Sequence, residues 1–194
     1  VVLRLVDEGA FELDGEVGLI EGGVTVRQLL NHTSGLPHGV ELDELLAPYR
    51  ENLVHRPEWT PREMLAVIES RPRLSAPGEG WFYSGSNYVV LGLLVEETTG
   101  ASLSEELRRR IFDPLGLADT ELPELSSTPA GLARGYLPAD NPVLPGPGPG
   151  PVDVSEVEPF GWGGGGMVSS ARDVARFLQA LLGGELLLPA MSAE

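Results

Sequence analysis

Cysteine and lysine are both absent from these 194 residues. Without cysteine there are no disulfides, no thiolate nucleophile and no thiolate-ligated zinc, and the redox compartment stays open. Without lysine, all the basic charge sits on 13 arginines, so any mechanism that needs a lysine amine must take it from outside these residues. Basic residues are few in any case: 29 acidic side chains against those 13 give a net charge of -16. A field of that sign repels phosphate backbones and anionic lipid, which argues against a nucleic-acid partner. Long apolar runs are missing too. Tyr88 to Leu91, resuming after Gly92 as Leu93 to Val95, is far short of the roughly 20 residues of a membrane span. A Gly-x-Ser-x-Gly elbow, a P-loop and a His-Glu-x-x-His helix are each absent. The three histidines, His32, His38 and His55, include no i, i+4 pair, so no metal site and no cofactor is expected.

What is present is a series of helix signals in a chain long enough for one core. Val1 to Glu8 reads as the tail of a helix ended by Gly9, so the chain begins mid-element. Thr25 with Gln28, Thr60 with Glu63 and Ser102 with Glu105 each have capping-box spacing, and Pro61 suits a first helical turn. Asn87 to Thr99 is apolar on nearly all sides. This suits a central helix in which Gly92 admits a close neighbour and Gly100 ends the element, with a strand as the competing reading. Leu103, Leu107 and Ile111 repeat every four residues until Pro114, which is expected to break the pattern. Ser170 opens a last helix with Val174, Phe177, Leu178 and Leu181 on one stripe, closed by Gly183-Gly184. Strand signals are thin, limited to Phe11-Glu12-Leu13 and an edge piece within Leu132 to Leu137. Residues 138–151, rich in Pro and Gly, read as an extended surface loop within one domain spanning 1–194.

Ser34 or Ser86 could in principle join a histidine and an aspartate in space. The competing reading is that His32, Thr33 and Ser34 satisfy backbone groups at a helix end, as short polar side chains do. That reading is the one adopted. Trp162 and Gly163 to Gly166 either line a cleft or make a tight turn, and the sequence does not choose between them.

Four segments in order carry a resemblance: VTVRQLLNHTSGL (24–36), FYSGSNYVVLGLLVEETTG (82–100), FDPLGLADT (112–120) and WGGGGMVSSARDVARFLQALL (162–182). Together they resemble the serine β-lactamase-related hydrolases, which include class C β-lactamases, D-alanyl-D-alanine carboxypeptidases and penicillin-binding proteins. The resemblance implies a mainly α chain, the helical region of an α/β serine β-lactamase fold, with most of the sheet missing. It implies acyl transfer from a β-lactam, a D-Ala-D-Ala peptide or an ester, a small-molecule or peptide substrate with a carbonyl electrophile. It also implies a catalytic role for Tyr83, which matches the family's proton-shuttling tyrosine. On its residues alone, Tyr83 beside Trp81 and Phe82 would be an aromatic anchor with a hydrogen-bonded hydroxyl.

This sequence departs from the family pattern in three ways. The usual Tyr-x-Asn reads Tyr83-Ser84-Gly85 here, which makes Asn87 the candidate substrate-binding amide and leaves substrate class open. No Ser-x-x-Lys occurs; in the family it would lie just before a segment like Val1 to Glu8. The later Lys-x-Gly or His-x-Gly strand is also lacking. The expectation is therefore a piece of a serine hydrolase, inactive alone, with a non-catalytic binding relative of the same fold as the alternative. An extracytoplasmic location is implied by family analogy.

Overall fold

The computed structural model describes residues 1–51, 59–123, 129–138, 140–141, 150–155 and 161–189. Helix α1 (Val2–Asp7) stops before Gly9, whose φ of +73° is the left-handed conformation expected there. In α2 (Val26–Leu30) the Thr25 hydroxyl accepts from the Gln28 amide while the Gln28 side chain accepts from the Thr25 amide, closing the predicted box. Helix α3 (Asp43–Glu51) carries Pro48 inside it and has no clear start signal in the sequence. Burial of Leu45, Leu46 and Tyr49 outweighs the hydrogen bond that Pro48 gives up. The Thr60–Glu63 box opens α4 (Pro61–Glu69), which buries Met64, Leu65 and Ile68.

The central element is α5 (Ser86–Thr99), a helix and not the competing strand, ended by Gly100 at φ +71°. It packs against α2, α4 and the next helix, α6 (Leu103–Leu107), which starts on the Ser102–Glu105 box. Pro114, expected to break the helical pattern, does not. The chain passes through a π turn (Arg108–Phe112) into α7 (Asp113–Leu115), where Pro114 lies in the first turn and its missing N–H costs little; Gly116 at φ +65° ends it.

Strands β1 (Tyr136–Leu137) and β2 (Val152–Asp153) pair antiparallel. Residues 139 and 142–149 of the Pro/Gly-rich loop lie outside the described residues. Phe11 to Leu13 forms no strand: the Gly15 amide turns back to the Glu12 carbonyl, and an isolated bridge joins Glu16 to Thr25. The described residues are thus mainly helical, with one two-stranded ladder.

The last helix is α8 (Ala171–Leu182). Its stripe exists but is not buried among the described residues, since Val174 and Leu178 are 45% and 47% exposed. The anchor of α8 is polar instead. Buried Asp173 accepts from the Asp119 amide and the Thr120 hydroxyl, both at 2.8 Å.

The glycine-rich run holds a 3-10 turn (Trp162–Gly164) laid on α5. A Cβ on Gly92 would stand 2.7 Å from the Trp162 ring, so the neighbour that Gly92 admits is this indole. Cβ atoms on Gly163 and Gly164 would stand 2.7 and 2.8 Å from the Tyr88 and Gly85 carbonyls. The glycines serve close backbone packing, and Gly161, Gly164 and Gly165 also line a cavity, so the run does what each of the two readings expects.

Candidate active site

Two chain segments 47 to 55 residues apart meet at the N-terminal end of α5. One is the loop after α2, carrying His32, Ser34, Pro37 and His38; the other is Trp81 to Asn87. The Phe82 amide donates to the His32 carbonyl, which lays the aromatic run across that loop. Tyr83 stays 57% exposed, and its hydroxyl makes no hydrogen bond among the described residues. It is therefore not held as a buried aromatic anchor.

What holds Tyr83 is a pair of imidazoles. The His32 ring lies 4.7 Å from it, tilted by 39°, and the His38 ring meets it edge-on at 5.3 Å. Successive backbone amides orient the two rings. The Ser84 N–H donates to His32 Nδ1 at 3.2 Å, and the Gly85 N–H donates to His38 Nδ1 at 3.1 Å. Because each Nδ1 accepts, each neutral ring carries its proton on Nε2. Burial depresses the His38 pKa, with the charge of His32 acting the same way against the opposing pull of Glu41, so the ring is neutral at pH 7. Tyr88, below the site, donates to the Leu30 carbonyl, and burial with the nearby Tyr83 phenol raises its pKa.

Serine hydroxyls tie the loop down. Ser84 and Ser86 both donate to the Pro37 carbonyl, at 3.0 and 2.7 Å, and Ser86 Oγ accepts from the Gly39 amide. Ser34, 1% exposed, donates to Asn87 Oδ1 at 2.6 Å and accepts from the Leu36 amide. These hydroxyls satisfy backbone and side-chain groups, the adopted reading for Ser34, and none is open to a substrate.

Asn87, expected at the substrate, is placed elsewhere. Its side chain has 0% exposure, with its amide nitrogen on His32 Nδ1 at 3.2 Å and its oxygen taken by Ser34. Two residues further into the first turn of α5, the side chain points inward, so it supports the histidine that supports Tyr83 and cannot touch a substrate in this arrangement. His32, which is held at φ +63°, is the residue those bonds stabilise. The flanking roles of His32 and His38 are not visible in the sequence pattern. The available signal was Gly85, whose missing side chain leaves room for an imidazole: a Cβ there would stand 3.2 Å from His38 Cε1.

His38 lines an open cavity of about 200 Å3 together with Leu45, Met64, Ile68, Ser86, Val89 and glycines of the 161–165 run. Among the described residues no three His, Asp or Glu side chains come close enough to share a metal ion, and no helix is long and apolar enough to cross a membrane.

Comparison with known proteins agrees with the resemblance. The family model described as Beta-lactamase matches residues 1–194. Esterase EstB of Burkholderia gladioli is 33% identical over 225 residues, covering 100% of this chain and 56% of that protein. Penicillin-binding protein 4* of Bacillus subtilis (strain 168) is 30% identical over 168 residues, covering 82% of this chain and 36% of that protein. Among solved structures, a D-stereospecific amidohydrolase from Streptomyces sp. superposes with a TM-score of 0.88 at 32% identity, covering 100% of this chain and 60% of that one. The chain thus spans between about a third and three fifths of the length of these relatives.

Proposed function

The chain belongs to the Beta-lactamase family, with esterases, penicillin-binding proteins and amidases among its relatives, and from that premise we propose a serine hydrolase working through a covalent acyl-enzyme. The substrate is a β-lactam, a D-Ala-D-Ala peptide or an ester. The nucleophilic serine and its lysine come from outside these 194 residues, which contain no lysine and whose Ser34, Ser84 and Ser86 are all buried.

In this reading the serine oxygen attacks the carbonyl carbon and its proton passes to Tyr83, acting as phenolate beside the lysine ammonium. The bond to the leaving group then breaks, and that group takes the proton from Tyr83. Water hydrolyses the acyl-serine by the same path and restores the serine hydroxyl. The observation that carries the reading is Tyr83 itself: an exposed phenol with an uncommitted hydroxyl, fixed between two imidazoles whose tautomers are set by the backbone.

The test is labelling of the full-length protein with a fluorescent β-lactam or a fluorophosphonate, followed by mass spectrometry of the adduct. A labelled serine outside this chain is expected, and Tyr83→Phe is expected to lower kcat by about 10²- to 10⁴-fold. No adduct from either probe on folded protein would move the assignment to a non-catalytic binding relative.

A further inference from the structure

Gly85 leaves a gap beside Tyr83, and the structure shows what fills it. The His38 imidazole occupies the space that a side chain on residue 85 would need, 3.2 Å from the position of its Cβ. The ring is fixed there from several sides. Its Nδ1 takes the Gly85 amide proton, the residue before it is held by two serine hydroxyls, and the residue after it donates to Ser86. One polar atom of the ring is left over. Nε2–H makes no hydrogen bond among the described residues, and the Glu41 carboxylate, near enough to act on the ring's charge, does not bond to it. This nitrogen is not sealed from solvent, so an acceptor from outside can reach a donor whose direction is fixed.

We propose that His38 contacts the substrate of the Tyr83 site, donating from Nε2–H to a carbonyl or amide oxygen, and so supplies the donor that residue 85 lacks. This rests on the hydrolase reading above. The edge-on contact of His38 with Tyr83 puts the imidazole beside the Tyr83 ring, and the same imidazole lines the apolar cavity. The substrate this fits has an oxygen acceptor next to the scissile carbonyl and an apolar substituent near benzene in size, since an apolar cavity of about 150 Å3 holds benzene.

The experiment measures kcat and KM of the full-length protein on p-nitrophenyl esters of acetate and phenylacetate, with fluorophosphonate labelling of every variant. His38→Ala is expected to lower kcat/KM about tenfold, mainly through KM, as one lost hydrogen bond requires, while labelling of the serine persists. His38→Gln, which keeps an N–H in reach, is expected to restore most of that loss. Gly85→Asn alone is expected to lose activity because its Cβ meets His38. The pair His38→Ala with Gly85→Asn is expected to exceed either single variant, because the asparagine amide then has the space. If His38→Ala does not fold, His38→Gln measured beside His38→Leu decides the matter, with activity near wild type expected in the first and a loss of about tenfold in the second. Labelled protein whose kcat/KM stays within twofold in His38→Ala, or whose double variant shows no recovery, overturns the role of His38. Wild-type protein that takes no label overturns the hydrolase reading, and this inference falls with it.

Discussion

Ser34 Oγ donates to Asn87 Oδ1 at 2.6 Å, and both side chains are sealed from solvent. This bond joins the loop after α2 to the first turn of α5 and leaves the Asn87 amide free to hold His32. Removing the hydroxyl in Ser34→Ala strands two buried groups, Asn87 Oδ1 and the Leu36 amide. A loss of about 1–3 kcal/mol is expected, read as a lower urea midpoint at unchanged m. A change below about 0.5 kcal/mol, the range of ordinary surface substitutions, would contradict the structure.

Gly92 and Trp162 give a second prediction. Alanine normally favours a helix over glycine by about 1 kcal/mol. At residue 92 its methyl would meet the indole at 2.7 and 2.8 Å and Leu103 at 3.0 Å. Overpacking of this kind costs about 1–3 kcal/mol, so Gly92→Ala is expected to destabilise on balance. In a Trp162→Ala background the sign is expected to reverse, because the propensity gain remains, the indole is gone and only the flexible end of Leu103 has to give way. A double-mutant cycle by thermal melting checks both signs.

Arg110 is the third. Its guanidinium is buried, paired with buried Glu106 and with Glu8 near the end of α1, while Arg4 donates to the Arg110 carbonyl. Burial alone would raise the Glu106 pKa, but hydrogen bonds from Arg110 and Arg109 hold it below its ordinary value. Arg110→Ala leaves that carboxylate with Arg109 alone. A cost near the lower end of about 3–5 kcal/mol is expected at pH 7. Since the folded pKa is depressed, the stability from Glu106 is present above its unfolded pKa and lost as pH falls through the folded one. The variant is therefore expected to lose less on acidification than wild type in urea titrations at pH 7 and pH 4.

His38 titrates with the same outcome through the neutral form. Its folded pKa lies below the ordinary histidine value, chiefly through burial. Between the two values the unfolded chain binds more protons, so the contribution of His38 is full above about pH 6.5 and declines as pH falls toward the folded pKa. Protonation also places a proton on Nδ1, where the Gly85 amide already donates. An NMR titration of the His38 ring is expected to give a midpoint below about 6.5, and His38→Gln to flatten the stability profile between about pH 7 and 5. A midpoint above that value would contradict the burial assigned to the ring.

The sequence made local structure legible and tertiary structure only in part. The three capping boxes are written within four residues each, and each forms as read. Helix α3 was not visible because what stabilises it, the burial of Leu45, Leu46 and Tyr49, is a property of the folded core and not of its own pattern. Pro114 misled because the same residue that breaks a helix interior is accepted in a first turn. At the site, the motif singles out Tyr83, and the structure leaves it exposed. The burial of Asn87 could not be found that way, since a shift of two residues at a helix start changes which way a side chain faces. His32 and His38 were out of reach for a simpler reason: their partners lie 47 to 55 residues away.

The two imidazoles accept from consecutive amides, Ser84 to His32 and Gly85 to His38. That arrangement works as a ruler laid along the main chain, counting residues from Tyr83. Residue 85 stays glycine because a Cβ there meets His38, and a change at 84 or 86 that keeps the hydroxyl can be tolerated. Insertion or deletion of a single residue between 83 and 86 cannot, because it would shift both amides past their acceptors at once. Along this stretch the length of the chain is fixed as firmly as the side chains it carries.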